Sequence, residues 1–216
     1  MNDFHLNNAK LLSATYRFST TIQDENPSLN RQYIREVSVR QLNFRNEGIK
    51  FQLLCKKFGF ADPHITQLIR KIAYVFDVLM VTVAPDGQII TVENEKKLQD
   101  KWERLKSELQ KDHTGYAFDN YLHSVDLTIY NKEKLIAFLE SDKMYGLFFK
   151  GFWLYDNMDQ IPQYTVHKSK NIMGMTKKTD DKLQSERYIF HDNVLKECFK
   201  TNNHIQYEIL CLGLKK

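Results

Sequence analysis

Seven histidines, three cysteines and 27 carboxylates are the side chains from which this chain could build a reactive site. Their spacing argues against the familiar ones. His5, His64, His113, His123, His167, His191 and His204 include no pair three to five residues apart, the spacing that aims two imidazoles at one metal. Cys55, Cys198 and Cys211 form no CxxC pair, and an odd number of cysteines is not a disulfide framework. Cys198 and His204 face each other only across an expected turn. All three thiols are therefore expected free, with Cys55 and Cys211 on inward strand faces, where burial suppresses thiolate chemistry. No GxSxG elbow presents a serine nucleophile. Neither GxGxxG nor GxxxxGK[ST] occurs, so no backbone cradle for a nucleotide phosphate is expected. Asp156 and Asp159 could act as a carboxylate pair, but they follow an aromatic run at a loop, where the plain reading is a solvated turn. No catalytic residue, metal or cofactor is expected.

The residues that stand out are aromatic. Phe148, Phe149, Phe152, Trp153 and Tyr155 fall within a stretch apolar on every side. Read as a strand, alternation sends Phe149 and Trp153 to one face and Phe148, Phe152 and Leu154 to the other, so both faces need cover. The five aromatics are the candidate binding residues, with Trp153 the one whose role decides between core and contact surface. Lys150-Gly151-Phe152 resembles the opening of the RNP1 strand of RRM domains. Trp153 then stands where that family has a small residue and Leu154 where it has a stacking aromatic, so RNA binding is not carried over.

The elements that would position these residues read as strands, then helices, then strands. Leu12, Ala14, Tyr16 and Phe18 alternate with Ser13, Thr15, Arg17 and Ser19. A second strand passes through Tyr33, Arg35, Val37, Val39 and Gln41. A turn at Asn43 to Gly48 leads to a third, with Ile49, Phe51, Leu53 and Cys55 inward. Ile65, Leu68, Ile69 and Ile72 repeat at helical spacing over 64–76. Val78–Ala84 and Gln88–Glu93 flank Pro85-Asp86-Gly87 as a hairpin. Leu98, Trp102, Leu105 and Leu109 form one stripe of a helix from Asn94, the expected N-cap, to Lys111. Shorter helices follow, the second capped by Asn131, before strands over 147–213. This order gives one α+β domain over 1–216, with strands 12–56, hairpin 78–93, helices 94–142 and strands 147–213. The expected shape is a large curved antiparallel sheet made by both terminal meanders, with the helices on one face. At the level of fold it resembles the half-open barrels of lipid carriers.

Composition narrows the classes. An apolar share of 42% with 14 Phe and 11 Tyr supports a packed core, and 8 Gly with 4 Pro excludes collagen-like and linker-rich chains. No stretch approaches the roughly 20 apolar residues of a spanning helix. The N-terminal residues lack a signal-peptide pattern, and a reducing cytoplasmic setting is expected. The net charge of +4 lies in residues 166–216, around His167, Lys168, Lys170, Lys177, Lys178 and Lys182. Such lysines read as a solvated sheet edge rather than a nucleic-acid footprint. Three functions fit. The first is a non-catalytic accessory protein that works by contact with another protein, of chaperone, inhibitor or immunity type. The alternative is a carrier of a small apolar ligand in a half-barrel cavity. The third is an enzyme whose site the sequence does not display.

Overall fold

The computed structural model describes residues 13–26, 30–45, 48–60, 67–157, 161–178 and 184–214. The chain runs through β1 (Ser13–Ile22), β2 (Arg31–Arg45), β3 (Gly48–Phe60), α1 (Gln67–Ala73), a 3₁₀ turn (Tyr74–Phe76), β4 (Val78–Val83) and β5 (Ile89–Val92). Helices α2 (Glu95–Asp112), α3 (Tyr116–Ile129), α4 (Lys132–Glu140) and α5 (Tyr145–Asp156) follow. The chain closes with β6 (Tyr164–Lys168), β7 (Ile172–Lys178), β8 (Gln184–His191), β9 (Val194–Asn202) and β10 (Ile205–Leu214).

The ten strands form one antiparallel sheet in the order β5-β4-β3-β2-β1-β10-β9-β8-β7-β6. The first and last strands therefore pair at its centre, with Phe18 opposite Ile209 and Ile22 opposite Ile205. Each side of that seam is a five-strand meander. The helical segment leaves from one edge, after β5, and returns at the other, before β6. Its only compact route is across a face of the sheet, and this is where the helices lie. The sheet is curved and not closed. Register shifts at Thr15/Tyr16, Glu36/Val37, Gln41/Asn43, Thr82/Val83 and Ile189/Phe190 supply local bends.

The alternation in β1 is as the sequence predicts: Ala14, Tyr16 and Phe18 are fully buried. Trp102 is also fully buried with Leu98 and Leu109, and its indole N–H donates to Asp126 Oδ1 at 2.6 Å. Asn131 caps α4 by accepting the Lys134 N–H at 2.9 Å. Asn94 stands at the N-cap position of α2, as expected, but its side chain makes no capping bond. Its amide bridges to β4 instead, accepting from Met80 N at 2.8 Å and donating to Val78 O at 2.9 Å. The unpaired outer stretch of β4 offers these groups, and a buried amide satisfies them better than a helix end could.

Three further expectations change. The stretch from 147 is not a strand: Tyr145–Asp156 is helical, and the second meander begins only at Tyr164. Tyr145, Phe148, Phe149 and Phe152 are spaced i, i+3, i+4 and i+7, which is one helix face, and the stretch has no β-branched residue. Second, β7 pairs with β6 through Val166 opposite Met175, a hairpin the sequence reading passed over because its inward residues are methionines. Third, β2 continues to Arg45 beyond the turn expected from Asn43. Lys168 and Lys170 are exposed at the β6 edge, while Lys182 lies outside the described residues.

Candidate functional site

The concave face has two ends, and they differ in how they are filled. One end is occupied by α5. Phe148 meets Tyr16 at 4.8 Å between ring centres and Phe152 at 5.0 Å, and Phe149 meets Phe51 at 4.9 Å. Two glycines allow the helix to lie close. A Cβ on Gly87, at φ +86°, would sit 2.9 Å from the Lys150 backbone, and one on Gly151 would meet Leu195 and Tyr188 at 3.0 Å. The second meander holds the helix by a polar bolt. Lys150 Nζ, Tyr164 Oη and Tyr188 Oη donate to Glu186 Oε1 at 2.6, 2.6 and 2.8 Å. Burial pushes the Glu186 carboxyl up, but the bonds from Lys150, Tyr164 and Tyr188 outweigh it and hold it below its ordinary value.

The five candidate aromatics do not form one surface. Phe148, Phe149 and Phe152 are buried. Trp153 is half-buried beside a groove of about 30 Å³ formed with Gln41, Ile49, Val83 and Pro85. Tyr155 packs on Phe190 at 4.8 Å and donates to Asn193. Asp156 is pushed up to about 6 by burial, and Asp159 lies outside the described residues. Cys55 and Cys198 are buried while Cys211 is half-buried, and burial pushes the Cys55 and Cys198 thiols up. Cys198 is in the core and His204 is exposed, so they make no site. Among the described residues no group of three histidines, cysteines or carboxylates comes together.

At the other end the helices stand off the sheet and leave a cavity of about 420 Å³. Its floor is the continuation of the inward rows: Thr20 and Ile22 of β1, Tyr33 and Arg35 of β2, Phe58 of β3, Ile205 and Tyr207 of β10. Its roof is Ile72 and Ala73 of α1, Phe76 of the 3₁₀ turn, Tyr121 of α3, Phe138 of α4, and Asp142 and Lys143. Two cations sit inside it. Arg35 occupies an inward position, opposite Phe18 on β1 and Phe58 on β3. Its guanidinium lies 5.4 Å from the Phe18 ring centre and 5.5 Å from that of Tyr145, and Nη2 donates to the Lys143 carbonyl at 2.7 Å. Lys143 Nζ lies 5.0 Å from the Phe138 ring centre and 5.5 Å from that of Phe76. Burial, then the Arg35 charge, pushes the Lys143 ammonium from 10.5 down to about 7. Burial pushes the Tyr145 hydroxyl up to about 12. Thr20 Oγ1 donates to Met144 Sδ at 3.3 Å, tying the α4–α5 link to this end of β1.

Sequence reading missed this place. Arg35 was legible: it sits in the same alternating row as Val37 and Val39, a charge on an apolar face. Lys143 was not, because it falls between α4 and α5 in no periodic pattern.

No family model matches the chain, and no curated protein matches it. Among solved structures, the chain is similar to a chain titled for lipid–protein interactions in lipovitellin. The TM-score is 0.45 at 9% identity, over 94% of this chain and 25% of that one. The chain thus spans a quarter of that neighbour's length, and a likeness of this degree carries no functional argument. Among the described residues no helix is long and apolar enough to cross a membrane.

Proposed function

We propose that the chain is a binding protein for a small, mainly apolar molecule, held between the sheet and the helices at the open end of the concave face. The observation that carries this is the cavity itself. Its volume of about 420 Å³ lies in the range of small-molecule sites, and aliphatic and aromatic side chains from four strands and three helices converge on it beside Thr20, Arg35, Asp142 and Lys143. A packed domain of this size leaves few spaces larger than a water molecule between its layers, and this one opens to solvent between sheet and helices, where a small molecule could enter. The test is direct. Titrate the whole chain with 1-decanol by calorimetry, and repeat with Ala73→Trp, which puts an indole into the space. Saturable one-to-one binding, lost in the variant while its melting temperature is kept, is expected. Equal binding by a folded Ala73→Trp protein would remove the cavity from consideration.

A second reading, contact with another protein, keeps one specific support. Trp153 is half-buried beside a groove too small for a ligand, so a partner's side chain is what could use it. That reading names Trp153 as its handle and leaves Phe148, Phe149 and Phe152 to the core.

A further inference from the structure

We propose that the ligand is an amphipathic anion, an apolar chain ending in a carboxylate, with its head held between Arg35 and Lys143. This rests on the cavity reading above and adds the chemistry of one end of the ligand.

Arg35 and Lys143 are both half-buried. Charged groups drawn out of water need a partner. Among the described residues neither Arg35 nor Lys143 has a carboxylate within 4.0 Å. Arg35 donates to a neutral carbonyl, and Lys143 faces two rings. The titratable and charged groups around Lys143 are Arg35 and Tyr33 from β2, Cys55 from β3, Tyr207 from β10, Tyr121 from α3, Tyr145 from α5, and its neighbour Asp142. Asp142 is exposed and accepts from Ser141 Oγ at 2.7 Å. The hydroxyls and the thiol cannot neutralise a cation near neutral pH: burial pushes Cys55, Tyr121, Tyr145 and Tyr207 upward. Arg35 cannot shed its charge. Lys143, pushed down to about 7 by burial and the Arg35 charge, is the one of the two that can give up its proton near neutral pH. A carboxylate would restore that proton and accept charge-assisted bonds from both side chains. The rings around the two cations would then hold the chain. A neutral apolar ligand would gain the rings and leave both cations unpaired.

The experiment compares decanoate with 1-decanol on the whole chain and on Lys143→Met and Arg35→Met. At about pH 6.5, well above the usual carboxylate range, decanoate should bind wild type at least about tenfold more tightly, the worth of one charged hydrogen bond. Each substitution should erase most of that preference while 1-decanol binding is kept or improved; the alcohol thus reports an intact cavity. Because binding returns a proton to Lys143, decanoate affinity should fall by up to about tenfold per unit as pH rises above 7. It should be flat below 7, and Lys143→Met should abolish the fall. Equal affinity for the two probes in wild type, or an unchanged preference in Lys143→Met, would overturn the anionic head and leave the cavity reading standing. If neither probe binds wild type, the cavity reading fails and this one with it.

Discussion

The two ends of the concave face are built from the same four central strands, yet one is solid and the other hollow. At the solid end Tyr16, Phe18 and Phe51 meet the rings of α5, with Ala14, Val37, Val39 and Leu53 buried in the same core. At the hollow end the same strands present Thr20, Ile22, Tyr33, Arg35, Phe58 and Tyr207, and the helices above them do not descend. The strands cannot explain the contrast by themselves: the inward rows of β1 and β2 run through both ends, and that of β3 resumes at Phe58 after the register shift at Glu36/Val37. The helices can. Gly87 and Gly151 let α5 touch backbone and side chains on both meanders, whereas over the hollow end Ile72, Phe76, Tyr121, Phe138 and Lys143 face the strands across a cavity. An arginine on the inward row also resists a flush cover, because its charge would have to be sealed in. Packing and binding are thus divided along one sheet.

The largest expected effect tests the solid end. Phe148→Ala should cost about 3–5 kcal/mol in urea unfolding, as for fully buried aromatics. Phe138→Ala, half-buried at the hollow end, should cost about 1 kcal/mol, since the lost ring only enlarges an existing space. Similar losses at both positions would abolish the contrast.

Next comes the rim of the solid end. Phe149→Ser should cost about as much as Phe148→Ala, and Trp153→Ser about 1–2 kcal/mol, in line with its partial burial. A Trp153 loss as large as that of Phe149 would make the whole run core and remove the handle for a protein partner.

The last test sharpens the hollow end. Lys143 falls from 10.5 to about 7 on folding. Between those values the unfolded chain holds a proton the folded chain has released, so this residue's contribution to stability rises with pH across that window and is constant below it. Wild type minus Lys143→Met, read as melting temperature without ligand, should therefore be most negative at and below pH 7 and shrink toward pH 10. A difference independent of pH would mean that Lys143 keeps its proton in water.

Much of this protein was written in local pattern. Period-two alternation gave β1, β2, β3 and the terminal strand, and the Leu98, Trp102, Leu109 stripe gave α2, because burial on one face needs only near neighbours in sequence. Segregation of strands from helices was enough to yield a curved antiparallel sheet with helices on one face. Three things needed the folded chain. The run at 147–155 alternates into two apolar strand faces as readily as it joins Tyr145 in one helix face of Phe148, Phe149 and Phe152; the close approach to Gly87 and the Glu186 bolt fix the helix. Asn94 looked like a cap because capping is a local signal, but the competing backbone groups of β4 lie remote in sequence. The pairing of Arg35 with Lys143 joins an inward strand position to a helix link across the whole helical segment. A cavity is where elements fail to meet, and no stretch of sequence records the distance between surfaces that other residues hold apart.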